Sequence, residues 1–223
     1  MLSASTPTTP GATQSSTVQV WDPLVRVFHW TLVIAFAVAY LSGEESLALH
    51  VWSGYAVGGL LALRILWGFI GPQHARFSDF AFGPFASLRY LVDLVRGRAR
   101  RYLGHSPAGA AMVFLLLVAL VAVVGSGLQL YALEENAGPL AGMTTAVPGA
   151  AATSGKVASD DEADGQTLGG EAGGDGIWGE VHETLANLVL ALVILHIGGV
   201  LLASFIHREN LTRAMVTGRK RPE

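Results

Sequence analysis

Four long apolar runs separated by polar stretches give this chain its outline. They extend from Leu24 to Leu41, Leu47 to Ile70, Ala108 to Leu130 and Val181 to His207. Each can cross an apolar bilayer core about 30 Å thick, which needs about 20 helical residues at 1.5 Å per residue. The apolar positions are nearly continuous within each run, as expected for helices surrounded by lipid. Asp22-Pro23, Gly71-Pro72 and Ser106-Pro107 supply start and stop signals at the edges of the runs. The pattern predicts an all-α fold, an integral membrane four-helix bundle with up-down-up-down connectivity.

The polar stretches differ sharply from one another. Residues 1–17 are rich in Ser, Thr, Pro and Gly without charge, and read as a disordered cytoplasmic tail. Residues 18–133 hold the first three helices and a basic cytoplasmic loop, within which Leu88 to Val95 reads as a short amphipathic helix on the membrane surface. Residues 134–176 form a tract read as a disordered acidic outer loop, 177–207 the fourth helix, and 208–223 a basic cytoplasmic tail.

Charge orients the bundle. Arg76, Arg89, Arg96, Arg98, Arg100 and Arg101 lie between helices two and three, and Arg208, Arg213, Arg219, Lys220 and Arg221 follow helix four. The turn between helices one and two has no basic residue, and the acidic loop has only Lys156. The positive-inside rule therefore predicts both termini in the cytoplasm. The chain is 51% hydrophobic and 14% charged, too apolar for an ordinary soluble domain. It has no cysteine, which excludes disulfides, iron–sulfur clusters, thiolate ligation and covalent c-type haem. No basic face suggests nucleic acid as a partner.

Ionisable residues inside the spans carry the candidate chemistry. His182 and His196 lie in the fourth run. At about 100° per residue their spacing comes within about 40° of four whole turns, so both leave one helix face about 21 Å apart along the axis. His29 begins the first run and His50 the second. With alternating helix directions, His50 shares a depth with His182 on the outer side, and His29 shares one with His196 on the inner side. Two stacked sites with two imidazoles each suit bis-histidine haem. Arg26, a turn before His29, and Arg64, at the inner depth, are candidate partners for haem propionates. Gly54, Gly58, Gly59, Gly125 and Gly127 allow close approach of a helix or a flat macrocycle. The third helix has no ionisable residue and reads as support. A zinc or copper site would gather its ligands at one depth, often with Met or carboxylate, and Met112 is the only methionine in a predicted span.

Several motifs resemble one family. Val25-Arg26-Val27-Phe28-His29-Trp30, Leu49-His50-Val51-Trp52-Ser53-Gly54-Tyr55 and the run from Leu63 to Pro72 look like the bacterial di-haem cytochrome b561 family, which includes b-type cytochrome subunits of nickel–iron hydrogenases. Ala75 to Phe80, Gly104 to Pro107 and Val181 to Lys220 are also similar to it. The chain departs from the family in a very short turn before His50 and in the long acidic insertion before helix four. The resemblance implies two non-covalent b haems with His29, His50, His182 and His196 as axial ligands. It also implies electron transfer across a bacterial inner membrane between a quinone pool and a redox partner, such as a c-type cytochrome or a hydrogenase. A stand-alone superoxide:quinone oxidoreductase is the alternative within the same redox class, and a non-redox metal-binding protein the alternative outside it.

Overall fold

The computed structural model describes residues 17–73, 75–143 and 174–221. The expected N-terminal tail up to residue 16, the central part of the acidic loop and His74 lie outside the described residues. A two-residue strand β1 (Val18–Gln19) leads into α1 (Pro23–Ser42), followed by α2 (Leu47–Ile70), α3 (Pro84–Val95), α4 (Pro107–Glu134), α5 (Gly174–Ile206), α6 (Leu211–Thr217) and a second short strand, β2 (Arg219–Lys220). Four helices, α1, α2, α4 and α5, are long and apolar enough to cross a membrane. The chain is an all-α membrane bundle, its only strand pairing among the described residues being the β1–β2 ladder.

The helix starts follow from local chemistry. The Asp22 carboxylate accepts from the Leu24 amide at 3.2 Å with Pro23 in the first turn, and the Ser106 hydroxyl accepts from the Gly109 amide at 3.2 Å ahead of Pro107. Ser46 caps α2 in the same way. Only Gly43 to Ser46 separate α1 from α2, so the two must run antiparallel. Cross-helix contacts fix the others: Tyr40 donates to Asn187, Gly58 meets Val124, and the start of α4 lies by Ser87, whose hydroxyl donates to the Pro107 carbonyl.

The core sits at mid-bundle. Val57 and Leu61 of α2, Ala119 and Leu120 of α4 and Val189 of α5 form one buried cluster, with Leu32, Ala35 and Phe36 of α1 packed against it. Val189 is fully buried and lies midway in sequence between His182 and His196. Apolar side chains such as Ile34, Leu66, Val118 and Ile194 remain exposed on the bundle's outside, as lipid-facing residues should.

The two ends differ in charge. At one end the described residues include Glu44, Glu45, Glu134, Glu135, Glu180 and Glu183 without any Lys or Arg; this is the acidic end. The other end holds the first and last described residues and the arginine-rich segments, and is the basic end. Here Trp67 Nε1 donates to Asp22 Oδ2 at 2.7 Å, tying the close of α2 to the start of α1. The segment after α5, read above as a basic tail, is folded. Asn210 caps α6 by accepting from the Arg213 amide at 2.7 Å, and Gly218 ends it in the left-handed region at φ 78°. The Gly218 carbonyl then accepts from the Val20 and Trp21 amides, beside the Val18–Lys220 and Gln19–Arg219 pairs. Arg101 grips the Glu209 carboxylate with Nε and Nη2 at 3.1 and 2.9 Å and also donates to the Arg221 carbonyl. This carboxylate offsets the tail's positive charge and lets the segment fold back.

Candidate functional site

At the acidic end, His50 in the first turn of α2 faces His182 in α5, with ring centres 5.8 Å apart and planes at 85°. Each ring commits its Nδ1. That of His50 lies 2.8 Å from the Ala39 carbonyl. That of His182 lies 3.1 Å from the Val123 carbonyl and 3.0 Å from the Ser126 hydroxyl oxygen, and the Ser126 hydroxyl also lies 2.9 Å from the Val123 carbonyl. A carbonyl can only accept, so each Nδ1 donates, which leaves each Nε2 for another partner. A hydrogen bond from the far ring nitrogen of this kind fixes a histidine's orientation for metal ligation. The rings border a groove also lined by Gly54, Tyr55, Gly127 and Tyr131. Glycine is required at 127, where a Cβ would come within 2.8 Å of His182 Cε1. At Gly54 a Cβ would meet nothing within 4 Å, which leaves the groove wall flat and open.

At the basic end, His29 in α1 faces His196 in α5, with ring centres 6.5 Å apart and planes at 55°. The Trp30 ring stands edge-on to His29 at 5.2 Å. His29 Nδ1 and Arg26 Nε are buried and have no hydrogen-bond partner among the described residues. A buried polar atom without a partner costs about 1–3 kcal/mol, so two side by side point to a missing polar group. The Arg26 guanidinium lies against Gly218, where a Cβ would come within 3.0 Å of Nη1. Arg64 is buried at the same end, donates to the Ala75 carbonyl at 3.2 Å and lies 4.8 Å over the Phe77 ring.

Thus the structure brings together His50 with His182 and His29 with His196, and engages Arg64 with the segment after α2. Sequence reasoning missed Ser126, the Val123 and Ala39 carbonyls, and Phe77. Only Phe77 left a sequence signal: Gly68, whose Cβ would overlap the Phe77 ring.

The donor set narrows the chemistry. Two imidazoles on opposite sides of one metal ion, with metal–nitrogen bonds of about 2 Å, place their ring centres about 6 Å apart. Both pairs have that separation. Among the described residues, no three His, Cys, Asp or Glu side chains gather as a metal site. A bare transition ion would be short of donors here, whereas a metal bringing its own planar ring of four nitrogens needs only the two that each pair offers. The facing imidazole pairs, the flat glycine wall and the unpartnered Arg26 and His29 nitrogens fit a haem.

Comparison with known proteins agrees in class. The family model of prokaryotic cytochrome b561 matches residues 20–218. A "Probable Ni/Fe-hydrogenase B-type cytochrome subunit" of Rhizobium leguminosarum bv. viciae is 28% identical over 160 residues, covering 57% of this chain and 64% of the relative. The chain thus spans less than two thirds of the length of the curated relative it matches. No solved structure matches the chain significantly.

Proposed function

This chain belongs to the prokaryotic cytochrome b561 family, and on that premise we propose that it carries electrons across the bacterial inner membrane on two b haems, one at each histidine pair. Its coarser character needs no proposal: it is a membrane b-type cytochrome of electron transfer. In the proposed map, His50 and His182 are the axial ligands at the acidic end, and His29 and His196 those at the basic end. The basic end faces the cytoplasm, in keeping with its excess of arginine. The observation that carries this reading is the pair of facing imidazole couples, each with one member on α5.

A b haem, if held at each pair by its two imidazoles, would supply one-electron chemistry there. The chain's own residues do the rest. The Ala39 and Val123 carbonyls and Ser126 hold His50 and His182 in one tautomer and orientation, so little rearranges with a change of charge. Arg26, half-buried with its Nε buried and unpartnered, would serve the basic-end site as a cation for propionate oxygens. Arg64, itself buried, adds a second positive charge at that end. Both favour the more negative, reduced state there, so the basic-end site has the higher potential. The buried cluster around Val189 excludes water between the two sites.

The wider circuit, also proposed, joins a membrane quinone pool to a redox partner protein. The hydrogenase association in the relative's name makes a hydrogenase one partner class, and a c-type cytochrome is another. The ligand map is tested by pyridine haemochrome counts and reduced-minus-oxidised spectra of the wild type and of His29→Ala, His50→Ala, His182→Ala and His196→Ala. The expected result is two b haems in the wild type. His29 and His196 variants then lose one haem, and His50 and His182 variants lose the other. Full haem content in any of the four removes that residue from the map.

A further inference from the structure

We propose that the cleft between the end of α3 and the end of α5 binds the phosphate headgroup of one anionic phospholipid, whose acyl chains lie along the exposed apolar sides of these helices. The cleft is lined by Gly97, Ser204, Phe205, Ile206 and Arg208. Ile206 is the last residue of the fourth span, so the cleft opens where hydrocarbon gives way to headgroups. On its hydrocarbon side, α5 exposes Leu201, Leu202 and Phe205, the last at 83%. Helix α3 buries Ser87, Tyr90 and Leu94 against the bundle and exposes Leu88, Leu91 and Val95 on its other side.

The polar side of the cleft is built for an anion. Arg208 is exposed, and its guanidinium has no hydrogen-bond or ion-pair partner among the described residues. Its backbone sits in the left-handed region at φ 49°, which costs a non-glycine residue about 1–2 kcal/mol. That conformation is held by Arg221, whose guanidinium donates to the Arg208 carbonyl. Gly97 on the facing rim is also left-handed, at φ 68°, between the exposed Arg96 and Arg98. The Ser204 oxygen accepts from the Leu211 amide at 3.3 Å, leaving its O–H free to donate.

Nearby carboxylates do not cancel this charge. Glu209 is taken by Arg101 and the Arg221 amide, and the half-buried Asp93 adds one negative charge to set against three from Arg96, Arg98 and Arg208. A planar guanidinium suits phosphate oxygens as a two-pronged donor. A basic recess at the membrane boundary, with apolar walls leading into the bilayer, is the setting for anionic lipid rather than free phosphate. This inference rests on the span ends and the charge distribution, not on the haem map.

The test uses purified, delipidated holoprotein in neutral detergent, titrated with phosphatidylglycerol, phosphatidylcholine or inorganic phosphate and followed by native mass spectrometry. One phosphatidylglycerol per chain is expected. Arg208→Gln should weaken binding by at least about tenfold, and Arg208→Lys, which keeps the charge but not the fork, should recover part of it. Arg213→Gln removes the same charge from α6 outside the cleft and should change binding by no more than about twofold. Haem absorbance verifies folding of each variant. Equal losses in Arg208→Gln and Arg213→Gln would leave only a diffuse basic surface and overturn the site. So would phosphatidylcholine binding as tightly as phosphatidylglycerol, or lipid displacement by millimolar inorganic phosphate.

Discussion

Replacing Gly127 by alanine should empty the acidic-end site while leaving the basic-end site loaded. An ideal Cβ at position 127 lies 2.8 Å from His182 Cε1 and 3.2 Å from Nδ1, whereas ordinary contact begins near 3.4 Å. The imidazole must therefore retreat by about 0.6 Å, more than the roughly 0.5 Å a ligating geometry tolerates. Retreat also strains the 3.1 Å and 3.0 Å contacts to Val123 and Ser126 that hold the ring. Overpacking of this kind costs about 1–3 kcal/mol, while Gly→Ala in a helix returns up to about 1 kcal/mol, so the bundle should fold. Disturbing a ligand's orientation lowers metal affinity by about 10–100-fold. Gly125 is the internal control: it lies two residues away on α4, and a Cβ there meets nothing within 4 Å. The assay is a haemochrome count with a redox titration of each purified variant. Gly127→Ala should show one haem and one midpoint, and Gly125→Ala two of each. Two haems with unchanged midpoints in Gly127→Ala, or parallel loss in Gly125→Ala, would refute the reasoning.

Three further outcomes follow from the basic end. Asp22→Ala removes the α1 cap and the acceptor of Trp67, a combined loss of about 2 kcal/mol. It should lower the thermal midpoint in detergent by about 4–8 °C. Burial raises the Glu209 carboxyl, but the Arg101 hydrogen bonds, the Arg221 amide and the charges of Arg101 and Lys220 outweigh it and hold the group below its ordinary 4.5. The stabilisation it gives is therefore complete above the ordinary carboxylate range and lost as pH falls through the lowered value. The gap in thermal midpoint between wild type and Glu209→Gln should be wide at neutral pH and close on acidification. Gly218→Val places a branched side chain at φ 78° with its Cβ 2.9 Å from the Trp21 carbonyl. It should open the β1–β2 pair, seen as faster amide exchange at Val20 and Trp21, at a cost of about 1–2 kcal/mol or more.

What could be read from the sequence was local or followed from depth. The spans and caps announced themselves through apolar runs and through Asp22-Pro23 and Ser106-Pro107, because those signals act within one turn of helix. Which histidines meet was also legible, because helix direction and position along a span set depth before any packing is known. The support of the acidic-end pair was hidden. Helix α4 looked inert without an ionisable residue, yet its Val123 carbonyl and Ser126 hydroxyl orient His182, and a backbone carbonyl has no sequence signature. Arg64 shares its spacing from His50 with the two histidines of α5, but Phe77 and the Ala75 carbonyl claim it, a contact set by a turn that periodicity does not describe. Composition concealed the folded C-terminal segment. Its arginines suggested only a basic tail, while Asn210 and Gly218 already marked the two ends of a short helix.

Helix α5 contributes one imidazole to each facing pair, and the opposite members come from two different helices joined by a four-residue turn. During biogenesis, α1, α2 and α4 can all be in the bilayer while neither pair yet exists. Insertion of α5 then creates both at once, on a single rigid rod. If the proposed ligand map holds, loading with cofactor belongs to the last step of assembly, because a chain lacking α5 has neither facing pair.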